Sequence, residues 1–173
     1  MICTCNIDTP LGPMTAAASD DQLIGLWFVG QKHYPADAQT WVNQPNHPIL
    51  VALRTWIAEY FRGKAGRPEL LLSPRGTAFQ QAVWEILLRV PHGATITYGD
   101  IARQLAAARG LPSMSAQAVG GAVGRNPISI LIPCHRVVGA DGSLTGYAGG
   151  MDRKQALLQL EGAGESPPIQ KNP

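Results

Sequence analysis

The sequence lacks any long hydrophobic run, and this absence excludes one broad class of protein. No apolar stretch in the 173 residues approaches the roughly 20 that a helix needs to cross a bilayer. Met1–Pro13 shows no basic start followed by an apolar stretch, so no secretory signal is predicted. We therefore expect a cytoplasmic protein with no membrane partner, in which thiols stay reduced.

Cysteine is scarce, and the three cysteines (Cys3, Cys5 and Cys134) cannot all pair within one chain. Cys3 and Cys5 are two residues apart and would point the same way in a strand. Cys134 stands alone, which makes it a candidate working thiol. Charge is also sparse: 15% of the residues are charged and 45% are hydrophobic, a balance typical of globular proteins.

The small net charge of +2 is unevenly distributed: residues 1–74 carry −1 and residues 75–173 carry +3. A modest cationic bias in the second half permits a polyanionic partner without requiring one. The segment Gly63–Gly76 is rich in Gly and Pro, as linkers often are. The predicted domains are thus residues 1–74, including a linker at 63–74, and residues 75–162, followed by a disordered tail at 163–173.

The first domain begins with strand and turn signals and continues into a helix. Leu23–Val29 is a β-like apolar run between turn residues. A helix is predicted from Pro48, a residue favoured in the first helical turn, with Gly63 as its end.

The second domain carries stronger helix signals. Thr77–Gln80 has the pattern of a capping box, and the helix that follows is stopped by Pro91. Thr97–Asp100 opens another helix, and a short one runs from about Ser115 to Val123. The last two suit a helix-turn-helix.

The short helix is unusual because Ser115–Gly124 contains three Gly and three Ala. Such small residues allow a helix to approach a DNA groove closely, or alternatively to pack tightly against a neighbouring element. Only Gln117 has a side chain suited to base edges, which argues against sequence-specific reading of the major groove.

The lone thiol follows an apolar run. Ile128–Ile132 predicts a buried strand that Pro133 ends, and Cys134, His135 and Arg136 come next. A thiol acts as a nucleophile in its thiolate form, so it needs a nearby base or positive charge. His135 and Arg136 are candidates. The alternative is a buried thiol beside an unrelated imidazole.

Glu161 is a candidate partner for His135. A helix is predicted from an Asp152 N-cap to a stop at Gly162, so Glu161 lies at the end where the helix dipole disfavours an anion. A compensating contact with His135 would give a carboxylate–imidazole–thiol arrangement. The alternative is an exposed glutamate. Nearby, Asp141-Gly142 predicts a tight turn and Gly146–Gly150 a small-residue loop that could line a flat pocket.

These motifs resemble one known family. Residues 126–138, with the core Pro-Cys-His-Arg-Val, are similar to the active-site segment of the methylated-DNA–protein-cysteine methyltransferases, also called O6-alkylguanine-DNA alkyltransferases. The resemblance runs from about Thr77 through Gly162 and includes Thr-Gly-Tyr-Ala-Gly-Gly at 145–150 and Leu-Leu-Gln-Leu-Glu-Gly at 157–162. Residues 1–74 match loosely, chiefly at Thr9–Pro13.

The resemblance implies a role for each matching residue. Cys134 would be the nucleophile and permanent alkyl acceptor, and His135 the base acting through a water that Glu161 helps to orient. Asn126 would brace the turn between the recognition helix and the active-site segment, and Tyr98 would donate a proton toward N3 of the leaving guanine. The implied substrate pocket comprises Val137, Tyr147, Ala148, Gly149 and Lys154. The implied DNA-contacting residues are Gln117, Ala116, Ala118, Gly120, Thr97 and Arg136.

The resemblance also implies the architecture and the partner. The fold would be α/β, with a ribonuclease H-like N-terminal domain and a mainly helical C-terminal domain that carries a winged or helix-turn-helix DNA-binding element. The partner would be double-stranded DNA containing O6-alkylguanine, with O4-alkylthymine a further substrate, bound through the minor groove by a monomer. The alkyl transfer would be irreversible and would need no cofactor.

Two departures from the family pattern stand out. Gln117 occupies the position where the family presents an arginine that fills the gap left by a flipped base, and the loop before it is longer than usual. Cys3, Cys5, His33 and His47 resemble a possible zinc set, but their positions do not align with the zinc-binding relatives, so no metal is predicted.

Two other functions remain open at this point. A non-repairing protein that binds the alkyl lesion would share the fold, although the relatives of that kind lack the cysteine that is present here as Cys134. A thiol hydrolase using Cys134 and His135 would turn over repeatedly, whereas an alkyltransferase would not.

Overall fold

A computed structural model describes residues 1–163 of the protein. The chain divides into two compact units, the first formed by Met1–Arg75 with Pro127–Ser129, and the second by Gly76–Asn126 with the residues from Ile130 onward. Of the predicted tail, residues 164–173 lie outside the described part. Ala163 is buried, so placing this residue in a disordered tail was wrong.

The first unit is built on a four-stranded sheet with the order β3-β2-β1-β4. The strands are β1 (Cys3–Ile7), β2 (Met14–Ser19), β3 (Gln22–Phe28) and β4 (Val42–Asn43). The first three are antiparallel neighbours, and β4 runs parallel to β1. Cys3, Cys5 and Ile7 alternate with more exposed residues along β1, so both cysteines point into the core, as their spacing predicts.

One helix, α1 (Pro48–Phe61), covers this sheet and contacts β1, β2 and β3. It begins where predicted: His47 caps the helix by accepting a hydrogen bond from the Ile49 amide, and Pro48 occupies the first turn. Its buried face is apolar and consists of Leu50, Leu53, Ile57 and Tyr60. Gly63 follows with φ +74°, a left-handed conformation that ends helices.

The predicted strand at Ile128–Ile132 is wrong. Ile128 makes only an isolated bridge to Leu26, within the first unit. The Leu26 amide donates a hydrogen bond to the Pro127 carbonyl, and the Ser129 amide donates one to the Leu26 carbonyl. The chain then turns, with Ile130 at φ +71°. The apolar pattern reflects burial of this segment, because periodicity alone does not distinguish a buried strand from a buried turn.

The second unit is mainly helical. Its helices are α2 (Ala78–Leu88), α3 (Tyr98–Ala108), α4 (Ala116–Gly124) and α5 (Met151–Leu160). The predicted capping box of α2 is confirmed, with Thr77 and Gln80 exchanging hydrogen bonds, and Thr97 and Asp100 form a second one at α3. The prediction for α5 is wrong by two residues: its N-cap is Gly150, at φ +95°, and Asp152 lies within the first turn.

A short parallel pair of strands holds the start of α3 beside the thiol segment. The strands β5 (Ile96–Thr97) and β6 (Val137–Val138) pair Ile96 with Val137 and Thr97 with Val138. Cys134–Arg136, a single 3-10 turn, immediately precedes β6. No helix among residues 1–163 is long and apolar enough to cross a membrane.

Candidate active site

Cys134 lies in the 3-10 turn after Pro133 and is 5% exposed. The Asn126 side-chain amide donates one hydrogen bond to the Cys134 sulfur at 3.2 Å and another to the Ile132 carbonyl at 2.7 Å. Asn126 therefore joins the end of α4 to the thiol segment.

Two opposing effects act on the ionisation of this thiol. Burial raises the pKa of Cys134, while the Asn126 hydrogen bond and the positive charge of Lys154 act in the opposite direction. Burial is the larger effect, so the resting group is a neutral thiol. Arg136, which the sequence offers with His135 as a candidate activating group, has its guanidinium bonded to Glu161 and Val90.

His135 and Glu161 are in direct contact. The Nε2 atom of His135 lies 2.7 Å from Oε2 of Glu161, and both side chains are fully buried. The alternative of an exposed Glu161 is therefore wrong. Among the residues that the structure describes, Nδ1 of His135 has no hydrogen-bond partner, so the second ring nitrogen is not bonded to the Cys134 sulfur.

Arg136 holds the same carboxylate from the other side. Its Nε donates to Oε1 of Glu161 at 2.8 Å and its Nη2 to Oε2 at 3.0 Å. Its Nη1 donates to the Val90 carbonyl at 2.6 Å, and the side chain is only 11% exposed. All three nitrogens of its guanidinium are thus engaged within the unit, and the contact of Arg136 with DNA stays a prediction.

This array sets the ionisation of both groups. Although burial opposes ionisation of Glu161, hydrogen bonds and charges from His135 and Arg136 hold the pKa of this carboxyl well below its usual range. Burial lowers the pKa of His135, and the contact with Glu161 raises it. The positive charges of Arg136 and Lys154 lower it further. At neutral pH the array is a neutral imidazole beside a carboxylate that Arg136 has already neutralised.

Lys154 is fully buried, which is rare for a lysine. Its ammonium donates to the carbonyls of Thr145 and Gly146 at 3.1 and 3.3 Å. Burial lowers the pKa of Lys154 to about 8. Arg153, which the sequence did not single out, donates to the Gly149 carbonyl at 3.1 Å. These two basic side chains of α5 thus bind the carbonyls of Gly146 and Gly149 in the small-residue loop and that of Thr145 just before it.

The first residues of α3 also take part. The Thr145 hydroxyl donates to the Tyr98 hydroxyl oxygen at 3.1 Å, so this bond does not use the phenolic proton of Tyr98. Thr97 is buried, and its hydroxyl accepts from the Asp100 amide as the helix cap. The Thr97 side chain thus caps α3, and its contact with DNA stays a prediction.

The predicted pocket residues differ in exposure. Val137 is buried within β6 and Gly149 is buried in the loop, whereas Tyr147 and Ala148 are half-buried. The loop therefore presents its side chains at positions 147 and 148, and its backbone is held by α5.

The small-residue helix α4 has one packed face and one exposed face. Val119, Ala122 and Val123 are buried, and the Trp84 indole nitrogen donates to the Ala122 carbonyl at 2.9 Å. The exposed positions are Ala116, Gln117, Ala118 and Gly121. A Cβ added at Gly120 would lie 3.8 Å from the Tyr98 ring. Tight packing and an open small-residue surface thus coexist on opposite faces.

Within residues 1–163, no group of three or more His, Cys, Asp or Glu side chains could hold a metal ion. The Cys3 thiol instead donates to the Gln44 side chain at 2.8 Å. His47 accepts at the start of α1, and His33 lies in a turn at φ +62°.

Comparison with known proteins assigns both units. Residues 3–73 match the ribonuclease-like domain of 6-O-methylguanine DNA methyltransferase, and residues 78–163 match its DNA binding domain. A methylated-DNA–protein-cysteine methyltransferase of Mycobacterium bovis is 44% identical over 155 residues, covering 90% of this chain and 89% of the relative. One of Methanosarcina acetivorans is 40% identical over 156 residues, covering 90% and 96%.

Solved structures of the same family also resemble this chain. The crystal structure of Mycobacterium tuberculosis O6-methylguanine methyltransferase has a TM-score of 0.82 at 41% identity and covers 96% of both chains. That of Mycobacterium tuberculosis OGT in complex with DNA has a TM-score of 0.83 at 40% identity and covers 97% of this chain and 98% of the other. The fold is thus of the two-domain α/β class, with an N-terminal sheet domain and a helical DNA-binding domain. The chain belongs to the methylated-DNA–protein-cysteine methyltransferase family.

The buried Glu161 array predicts a specific loss of stability in acid. Because its folded pKa is depressed, Glu161 contributes stability in full above its unfolded pKa of about 4.3, and this contribution is lost as the pH falls below that value. We expect Glu161→Gln to lower the free energy of unfolding near neutral pH by about 3–5 kcal/mol, because it leaves the Arg136 charge buried without its partner. The difference from wild type should narrow between about pH 5 and about pH 3 in urea titrations.

Glu59→Gln is the matched control, since Glu59 pairs with Arg62 at 3.1 Å on the surface of α1. This variant should cost at most about 1 kcal/mol. If the difference in free energy of unfolding between Glu161→Gln and wild type stays constant across the acid range, Glu161 is not ionised in the folded protein as described.

Proposed function

We propose that this protein repairs DNA by direct reversal, transferring the alkyl group from O6 of guanine to the sulfur of Cys134. The observation that carries the proposal is the placement of Cys134 beside Asn126 and Lys154, in the same turn as a neutral His135 bonded to Glu161. Membership in a family named for methyl transfer from DNA to a protein cysteine supports it.

The proposed reaction is an in-line displacement at the alkyl carbon. A bond forms between the Cys134 sulfur and that carbon, the carbon–O6 bond breaks, and its electron pair moves to the guanine. His135, neutral at rest, receives the thiol proton through a solvent molecule. Tyr98 donates a proton toward N3 of the leaving base, which its bond from Thr145 leaves possible. The imidazolium proton returns to Tyr98 through solvent, so the balance closes on an intact guanine and a thioether.

The thioether makes the protein a single-turnover agent. A sulfur–carbon bond of this kind is not exchanged by other thiols, unlike a disulfide. One molecule would therefore repair one lesion.

We assign α3 and α4 to a helix-turn-helix that approaches DNA from the minor groove. The exposed small residues Ala116 and Ala118, with Gly120 beside them, would let α4 enter a narrow groove, where proteins read shape and charge more than sequence. The target nucleotide must rotate out of the stack, at a cost of a few kcal/mol, before its O6 atom can reach a buried sulfur. Gln117, exposed on α4, would occupy the vacated position.

The remaining finer assignments rest on the family. The match of residues 3–73 to a ribonuclease-like domain supports a ribonuclease H-like architecture for the first unit. The proposed partner is double-stranded DNA containing O6-alkylguanine, bound by a monomer.

A lesion-binding protein without transfer activity and a thiol hydrolase remain the alternatives. The first would not need the contacts that surround Cys134. The second would release product repeatedly, and stoichiometry therefore separates it from a repair protein.

Replacing Cys134 provides the primary test. Incubated with a duplex containing O6-methylguanine, the wild type should remove one methyl group per protein molecule and gain the mass of one methyl group on Cys134. Cys134→Ser should remove none, because a serine hydroxyl is a far weaker nucleophile than a thiol at neutral pH.

Cys5→Ser is the control, because Cys5 is also a buried thiol, and it should retain the activity. Repair by Cys134→Ser would refute the assignment of the acceptor. An absence of adduct would favour the lesion-binding protein, and repeated turnover would favour the hydrolase.

Gln117 predicts weaker engagement of duplex DNA than an arginine would give. Gln117→Arg should speed repair of duplex DNA by up to about tenfold, the effect of one charge-assisted hydrogen bond of roughly 1.5 kcal/mol. It should leave the reaction with free O6-benzylguanine unchanged, because that substrate has no duplex. Single-turnover rates with both substrates provide the measurement.

Gln159→Arg, at an exposed position of α5, adds the same charge away from α4 and should speed neither reaction. Equal acceleration of both substrates by Gln117→Arg would show that position 117 acts on the chemical step instead.

A further inference from the structure

Arg136 carries three internal hydrogen bonds that the proposed reaction does not use. Two of them form a two-point ion pair with Glu161, at 2.8 and 3.0 Å, and the third ties Nη1 to the Val90 carbonyl at 2.6 Å. The two-point geometry is the one in which an arginine binds a carboxylate most strongly. A group held this tightly beside a reacting pair of side chains needs an explanation.

The charges around His135 show what the arginine does. The charged groups acting on the ring are Glu161 and Lys154 from α5 and Arg136 from the 3-10 turn itself, which also contains the Cys134 thiol. Helix α2 packs against the same turn, and its one ionisable residue, Glu85, is exposed. The positive charge of Arg136 balances the negative charge of Glu161 while His135 is neutral.

We propose that Arg136 is a positioning residue for the reaction of Cys134: it balances the charge of Glu161, so that Glu161 orients the His135 ring without stabilising its protonated form. His135 then remains a neutral base that can receive the thiol proton. This inference rests on the proposed function only in naming the reaction; its effect on Cys134 reactivity holds for any electrophile.

Removing the positive charge would change the proton affinity of the buried pair. Glu161 would then face His135 without the compensating charge of the arginine, and an unbalanced carboxylate in contact favours an imidazolium. The two groups would take up one shared proton at a higher pH than in the wild type. The positive charge of Arg136 is one of the causes that lower the pKa of His135, after burial. A protein with His135 already protonated cannot deprotonate the thiol.

The test is the pH dependence of Cys134 modification. Rates of reaction with iodoacetamide and with O6-benzylguanine are measured from about pH 5 to about pH 9 by mass spectrometry of the Cys134 peptide. In Arg136→Met the midpoint of the rise in rate should move up by about one pH unit or more, because the positive charge that opposes protonation of His135 is lost. Near and below neutral pH the rate should be lower than in the wild type, and it should approach the wild-type rate at the alkaline end.

Three variants separate charge from packing. Arg136→Gln keeps hydrogen-bond donors without the charge and should show the same upward shift, so it carries the test if Arg136→Met does not fold. Arg136→Lys keeps the charge without the two-point geometry, and its midpoint should lie close to that of the wild type. Arg89→Met removes an exposed arginine next to Val90 and should behave as wild type.

The outcomes are distinguishable. A rate lowered by the same factor at every pH, or an unshifted midpoint in both Arg136→Met and Arg136→Gln, would overturn the inference and leave Arg136 a purely structural residue. If wild-type Cys134 reacts with iodoacetamide but never with O6-benzylguanine, the proposed function fails, while the iodoacetamide midpoints still decide the role of Arg136.

Discussion

A single buried carboxylate organises the site. Glu161 lies at the C-terminal end of α5, where the helix dipole disfavours an anion, and contacts His135 and Arg136 at once. Burying one unpaired charge costs several kcal/mol, so this arrangement is stable only because the arginine neutralises the carboxylate. Burial, together with the charge of Arg136, keeps the imidazole neutral. The bonds to Glu161 tie α5 to the turn that carries Cys134. The thiol chemistry depends on that arrangement because a neutral thiol needs a base that is itself unprotonated.

The rest of the second unit positions groups around this array. The pairing of β5 with β6 places the start of α3, and with it Tyr98, beside the strand that follows the thiol turn. Asn126 connects the end of α4 to the sulfur, so the helix with the exposed small-residue face and the thiol share one hydrogen-bonded residue. Lys154 holds the adjoining loop by its carbonyls. The helix proposed to enter DNA and the proposed nucleophile therefore depend on the same few residues.

The sequence predicted best what depends on short-range interactions. The Thr77 capping box, the start of α1 at Pro48 and the cap of α3 follow from residues within one helical turn of each other, and all three are present. Glu161 was paired with His135 because its position against the helix dipole required a partner. The segment Ile128–Ile132 was not predicted correctly, because its conformation follows from hydrogen bonds to Leu26, distant in sequence.

The role of Arg136 was missed for the same reason: the sequence beside the thiol does not show that Glu161 and Val90 become its partners in the folded chain. Lys154 was placed near the site only by resemblance, since nothing local indicates that a lysine is fully buried.

The most direct test of this account is the protonation state of His135 in the resting protein, measured by nitrogen NMR with the signal assigned by its loss in His135→Gln. At neutral pH we expect a neutral ring with its proton on Nε2, donated to Glu161, and with Nδ1 unprotonated. A doubly protonated ring, or a neutral ring with its proton on Nδ1, would contradict the claim that the Arg136–Glu161 pair holds His135 ready to accept the proton of the thiol.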